Sequence, residues 1–303
     1  MSYSPIVLFV YKRLFHTRLT IDSLLKCQES KDSILYIFSD APKCLEDEEE
    51  VLNVRDYLKS ISGFKNVYII HRDINFGLAK NIIFGLNELF LTNDRLIILE
   101  DDIVVSKYFL NFMNDALSLY QNEKKIWHIS GWNYPIDCTN YQYNSYFLQM
   151  SNCWGWGTWA DRWKHFEKKP DHIINSWTRQ MKKRFTLHDA NYNFWQQIKY
   201  NKKNKINTWA IFWYATIFQK NGLCLNPVKT FTENIGNDGT GENCGNVDIF
   251  KSYLNVNYEK NFPKSIQFDS NYYQLIRKFY IQNKTPFFIK VINRLKLLIN
   301  NIK

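Results

Sequence analysis

Four short apolar runs rich in branched side chains alternate with three stretches of helical spacing across the first part of the chain, and this alternation restricts the fold more than any other feature. Residues 6–11, 34–38, 67–70 and 96–99 read as strands. Residues 14–25, 45–58 and 78–91 read as helices, the first amphipathic with Leu14, Leu19, Leu24 and Leu25 on one side and the second acidic. Strand, helix and strand in succession predict right-handed crossovers and a parallel sheet. The fold class is α/β, with a mostly parallel central sheet and flanking helices.

The fourth run has no polar alternation, as expected of a strand covered on both faces, and it ends in Glu100-Asp101-Asp102. Ligands of open α/β sheets bind beyond the carboxyl ends of the strands. Three adjacent acids repel one another unless a cation or hydrogen-bond donors share the site. Hard oxygen ligands suit Mn²⁺ or Mg²⁺, which commonly bridge a few carboxylates to phosphate groups. The competing reading is a solvated acidic turn. Asn75 and Gly77 precede the third helix, whose amino end would offer free N–H groups to an anion. Neither a Gly-x-Gly-x-x-Gly fingerprint nor a Walker motif occurs, which argues against a dinucleotide dehydrogenase and a P-loop ATPase.

With 303 residues, 45% of them hydrophobic and 17% aromatic, the chain can bury a sizeable core. Its six cysteines, Cys27, Cys44, Cys138, Cys153, Cys224 and Cys244, are scattered without zinc spacing and read as reduced thiols of a cytoplasmic protein. Read from its first residues, Met-Ser-Tyr-Ser-Pro, the chain is expected to carry no secretory leader. No run approaches the roughly 20 apolar residues of a membrane-spanning helix. The net charge of +10 is uneven, since residues 277–303 contain no acid. After Pro286, Phe288, Ile289, Ile292, Leu295, Ile299 and Ile302 follow helical spacing among Lys290, Arg294, Lys296 and Lys303. Such a helix can lie on an anionic membrane or dock on its own domain. A second basic cluster, Lys182, Lys183, Arg184, Lys199, Lys202, Lys203 and Lys205, reads as a solvated face, and no nucleic-acid motif accompanies it.

The second half changes character. Residues 151–163 hold four tryptophans, of which Trp159 and Trp163 read as core. Trp154 and Trp156 flank a glycine, where an indole face can stack on a sugar. Residues 209–214 read as a buried aromatic segment, and residues 233–245 as a mobile glycine-rich loop able to close over a ligand.

In order, Val7-Leu-Phe-Val-Tyr-Lys-Arg-Leu-Phe-His-Thr, Phe38-Ser-Asp, Asn75-Phe-Gly-Leu-Ala-Lys-Asn-Ile, Leu99-Glu-Asp-Asp, the tryptophan block and Asn234-Ile-Gly-Asn-Asp-Gly-Thr-Gly resemble bacterial GT-A-fold glycosyltransferases of surface-polysaccharide assembly. The chain is more distantly similar to the Golgi N-acetylglucosaminyltransferase I that uses UDP-GlcNAc and Mn²⁺. The resemblance covers roughly residues 5–245. It implies that Arg13 contacts the donor's diphosphate or uracil, that Asp40 binds uracil or ribose, and that Asn81 lies near the nucleotide, where the Golgi enzyme has histidine. It also implies that Asp101 holds ribose or sugar hydroxyls, that Asp102 is the direct metal ligand, and that Glu100 shapes the turn and meets the sugar.

An inverting transfer further needs a base for the acceptor hydroxyl. The segment that supplies it in the distant relative matches Trp209-Ala210-Ile211, which has no carboxylate. Asp189, Asp161 and Asp238 are the alternatives. The expected organisation is a transferase domain over residues 1–250, divided at 130 into nucleotide-sugar and acceptor halves, and an extension over 251–303. The expected partners are a nucleotide-sugar donor, a saccharide or lipid-linked oligosaccharide acceptor and the inner face of an anionic membrane. A nucleotidyltransferase would want a glycine-rich loop where Tyr11-Lys-Arg-Leu-Phe stands, and a noncatalytic carbohydrate-binding protein would leave the acidic triplet without a purpose.

Overall fold

The computed structural model describes residues 3–138, 141–238 and 249–283. The first half runs β1 (Ile6–Val10), α1 (Leu14–Leu25), β2 (Ile34–Ser39), α2 (Glu48–Leu58), β3 (Asn66–His71), α3 (Gly77–Leu89) and β4 (Arg95–Glu100). The hydrophobic periodicity places each of these elements to within about three residues, the largest difference being at α2, which begins at Glu48 instead of Leu45. After the acids come β5 (Ile103–Val105), α4 (Phe109–Leu119), β6 (Ile126–Ser130), β7 (Ser145–Leu148) and β8 (Trp156–Trp159). Then follow α5 (Ala160–Trp163), α6 (Pro170–Ser176), α7 (Arg179–Phe185), α8 (Asn193–Lys202) and α9 (Ala210–Gln219). The described chain closes with β9 (Leu223–Pro227), β10 (Thr232–Asn234) and α10 (Ser270–Gln282).

One eight-stranded sheet, ordered β3-β2-β1-β4-β8-β6-β9-β7, organises the molecule. The strands β3, β2, β1 and β4 are parallel, as the alternation predicts, and β6 runs parallel to β9. Two strands are reversed: β8 is antiparallel to both β4 and β6, and β7 is antiparallel to β9. The division expected at residue 130 therefore falls within a continuous sheet, whose two halves are joined by β8. Strand β8 carries Trp156 and Trp159 of the tryptophan block, each about 1% exposed. Trp156 is core, not a sugar-facing surface, because β8 is covered on both faces.

Both faces of the sheet are packed. Ile6, Leu8, Ile97 and Leu99 meet α1, α2 and α4, while Val7, Phe9, Leu96 and Ile98 meet α3 and α9. Leu96, Ile97, Ile98 and Leu99 are each 1% exposed or less, as the unbroken apolar run requires. Helix α1 departs from its sequence pattern. Leu19 and Leu25 are exposed, and its buried residues are His16, Thr17, Thr20, Ile21, Ser23 and Leu24. Small polar side chains face inward because α1 lies against the backbone beyond β4, where Ser23 Oγ accepts from Val105 N (2.9 Å).

Residues 249–283 belong to the body of the protein. Tyr258, Phe262 and Ile266 pack on the core beneath α1 and α4, and Tyr272, Ile276 and Phe279 of α10 are buried in a second core with α8 and α9. The extension expected to start at 251 is thus, up to residue 283, part of the fold. The basic amphipathic helix expected after Pro286 lies outside the described residues, as does Cys244. Among the described residues no helix is long and apolar enough to cross a membrane.

Candidate active site

The in-register pairing of Phe9 with Glu100 brings the end of β1 level with the acidic triplet. Arg13, three residues beyond β1, reaches across. Its Nη2 donates to Asp102 Oδ2 at 2.8 Å and also to Asp101 Oδ1. Burial alone would lower the Arg13 pKa, but Asp101 and Asp102 outweigh it and the pKa rises, so the guanidinium is a fixed cation. Burial likewise pushes Glu100 and Asp101 upward. The neighbouring carboxylates add to the Glu100 shift, whereas Arg13 opposes the Asp101 shift. Asp101 and Asp102 are 5% and 6% exposed, so the triplet is not a solvated acidic turn.

A second layer forms over these acids. Strand β5 follows the triplet directly and pairs antiparallel with β10, Asn234 opposite Ile103. Continuing this ladder, Ile235 N donates to the Asp102 carbonyl at 2.9 Å. The register lays Gly236 on Asp102 so closely that a Cβ there would stand 2.2 Å from Oδ2. Asp238 then meets His16 Nε2 of α1 at 3.1 Å. Glu233 and Asn234, expected within a loop, are strand residues, and the part of that loop spanning 239–245 lies outside the described residues.

Asp40 has a different setting. Its Oδ1 accepts from Ala41 N and Phe76 N, and its Oδ2 from Gly77 N, at 2.8 to 2.9 Å. The anion expected at the amino end of α3 is therefore the protein's own carboxylate, which ties β2 to that helix. Asn81 is buried and accepts from Arg72 Nε at 3.0 Å, and Arg72 stacks over Phe38 and Phe76. Asp40 and Asn81 thus belong to one wall at the carboxyl end of β2 and β3.

The three candidate bases separate. Asp161 lies at the start of α5, by the amino end of β4, and is held by Lys124 and Arg162 at 2.6 Å each. Asp189 sits in the turn after α7 with φ of 67° and is bonded to Thr186. Asp238 alone of the three is brought to the acidic triplet, through β10 and His16. Sequence pattern does not single out His16, Thr20 or Gly236, whereas Cys153 is expected near the site, without a chemical role, and does lie there. Thr20 Oγ1 donates to the Asp101 carbonyl at 2.8 Å, and the Cys153 thiol, pushed up first by burial, feels Glu100 next. The spacing of Arg13, His16 and Thr20 along one helix face was the available signal.

The tryptophan block is tied to this end of the sheet by a buried histidine. His128 Nδ1 accepts from Trp213 Nε1 (3.1 Å), which leaves the proton on Nε2, facing the Asn152 carbonyl at 2.9 Å. His128 also stacks on Trp156, with ring centroids 5.2 Å apart. Of the two tryptophans expected to meet sugar, only Trp154 remains partly exposed, leaning on Trp132 and Phe250.

Residues 1–188 match the model of the GNT-I family, more than half of the chain. The chain belongs to the GNT-I family. Membership makes it a glycosyltransferase, and the matched region of this GNT-I family member includes the acidic triplet, Arg13 and the tryptophan block but not β10 or Asp238. No curated protein sequence matches it. Among solved structures it is similar to the mannosyltransferase PcManGT from Pyrobaculum calidifontis, which was solved in complex with GDP-Man and Mn²⁺. That likeness has 10% identity and a TM-score of 0.38, over 73% of this chain and 70% of the other. It is also similar to S. aureus TarS, with 9% identity and a TM-score of 0.40 over 75% of this chain. The match spans 36% of the length of TarS.

Proposed function

We propose that the protein transfers a sugar, with inversion, from a UDP-sugar to a saccharide acceptor in cell-surface glycan synthesis, with Mn²⁺ or Mg²⁺ as cofactor. The observation that carries this reading is the pair of buried carboxylates, Asp101 and Asp102, converging on one cation at the carboxyl end of β4. The site fits a divalent ion in its chemistry. Its donors are hard carboxylate oxygens, and burial with mutual repulsion favours any cation that joins them. Among the described residues no cluster of three or more ligating side chains forms a complete cage. Asp102 would hold the ion, with diphosphate oxygens supplying the remainder. When bound, the metal neutralises charge that grows on the departing diphosphate.

The protein's own groups do the rest. Arg13 contributes a permanent positive charge beside the diphosphate. Asp101 orients the ribose or sugar hydroxyls, and Glu100 lies under the sugar. Asp40 and Asn81 form the wall for the base and ribose. Asp238, steadied by His16, takes the proton from the acceptor hydroxyl; the proton ends on an Asp238 oxygen as the new glycosidic bond forms. Gly236 lets this loop close on Asp102, which would exclude water. The acceptor is a saccharide, lipid-linked in the membrane-bound version of this reading, with residues 284–303 resting on anionic lipid.

A panel of nucleotide sugars with and without Mn²⁺ tests the proposal by thermal shift and by product formation. A UDP-sugar should raise the melting temperature only with metal, and Asp102→Ala should lose that response. Identical behaviour of wild type and Asp102→Ala would refute the metal-donor site. Asp238→Asn should keep donor binding while lowering kcat by about 10²- to 10⁴-fold.

A further inference from the structure

A pocket of about 420 Å³ opens at the other end of the sheet, between the end of β7, the turn after α7, the end of α9 and α10. Leu148 closes β7 and Leu223 begins β9, so the pocket lies at the amino end of β9, whereas the triplet is at the carboxyl end of β4, three strands from β9 and four from β7. At about 4.8 Å per strand the two sites are at least roughly 14 Å apart across the sheet. This volume falls within the range of small-molecule sites.

Its floor is apolar, made by Leu148, Met150, Phe218 and Ile276, all buried. Its rim is polar and cationic. Arg184 is exposed there, stacked over Phe218 and bonded to Gln149 (3.1 Å), with His188 and Asn221 beside it. His188 Nδ1 is 2.6 Å from Tyr273 Oη. Burial lowers the His188 pKa first, and Arg277, Lys183 and Arg184 lower it further against Asp189 alone, so the potential at the rim is net positive. The backbone is also unusual: Leu187, His188 and Asn221, all lining the pocket, have φ between 51° and 54°. For a residue such as Leu187 this left-handed conformation is strained, and such strain gathers at ligand sites.

We propose that this pocket binds an anionic amphiphile, a single aliphatic chain ending in a phosphate group, with the chain on the Leu148–Phe218–Ile276 floor and the phosphate on Arg184. The assignment does not depend on the transfer reaction. Charge complementarity selects the head group, because a neutral ligand would gain no charge-assisted hydrogen bond from Arg184, whereas a phosphate accepts such bonds from the guanidinium. The apolar floor selects the chain, since inorganic phosphate would leave it wet.

Calorimetric titration of the full chain with octyl phosphate below its micelle concentration, with octanol and with inorganic phosphate tests the site. Octyl phosphate should bind at one site, at least about tenfold more tightly than either fragment-like control. Arg184→Gln, an exposed substitution, should weaken it about tenfold. Leu223→Trp, shown by melting to be folded, should abolish binding by filling the pocket. Equal affinity for octanol and octyl phosphate, or unchanged binding in Arg184→Gln, would overturn the proposal. Vesicles with and without phosphatidic acid separate the two sources of such a group. Weaker capture of Arg184→Gln by phosphatidic acid vesicles assigns a bilayer lipid, and octyl phosphate binding with unaltered capture assigns a free amphiphile.

Discussion

Asp102 is held by its neighbours from two directions, by Arg13 at its carboxylate and by Ile235 at its carbonyl. Replacing it with alanine should lower transfer by about 10²- to 10³-fold, the scale of a lost electrostatic group in a dry site, and assay at saturating Mn²⁺ checks this. His128 permits a sharper test. Burial pushes its pKa down to about 3 from the ordinary 6.5. The folded protein therefore keeps it neutral where the unfolded chain binds a proton. Its contribution is complete above pH 6.5 and declines by about 1.4 kcal/mol per unit as the pH falls toward 3. Denaturant melts between pH 6 and 4 should show this slope in the wild type and lose one proton's worth in His128→Gln. An unchanged slope would contradict the neutral tautomer. The triplet itself was readable from sequence because burial and charge coincide in adjacent residues. His16 was not, since its partner Asp238 lies 222 positions away.

Elements fared unevenly for physical reasons. Apolar runs with local helical or strand period were legible, and β1 to β4 with α1 to α3 follow them. The leucines of α1 do not mark its inward face, because close approach to β5 selects Thr20 and Ser23 there while Leu19 and Leu25 stay exposed. The reversed strand β8 was hidden, since strand direction in a mixed sheet depends on partners distant in sequence. The same is true of β10, a three-residue strand within a glycine-rich stretch. Its pairing with β5 makes Gly236 a specific requirement. Gly236→Val would drive a side chain into Asp102, so kcat/KM should fall at least about tenfold, with a loss of stability of about 1–3 kcal/mol from overpacking. A collapse of the whole fold in this variant, seen by circular dichroism, would show that the loop is a folding element instead.

For the whole molecule, the packing of residues 249–283 on both cores predicts two different truncations. Ending the chain after Asn283 keeps every contact described above, so the protein should melt cooperatively. Deleting it from residue 249 uncovers the partners of Tyr272, Ile276 and Phe279, each worth about 1.5–3 kcal/mol of burial, and should give insoluble protein. If residues 284–303 rest on anionic lipid, the first truncation should also lose binding to anionic vesicles.

The reversed strand β8 also fixes an order of events during synthesis. Until residue 159 has left the ribosome, β4 is an unpaired edge carrying Leu96, Ile97 and Ile98. Such an edge is a template for intermolecular pairing. A fragment comprising residues 1–130, which contains every strand of the parallel half, should therefore aggregate on expression, whereas one ending beyond β8 should show less of this tendency. The seam between the halves is where a nascent chain most needs chaperone protection, and codon or linker changes between residues 100 and 160 should affect yield more than changes elsewhere.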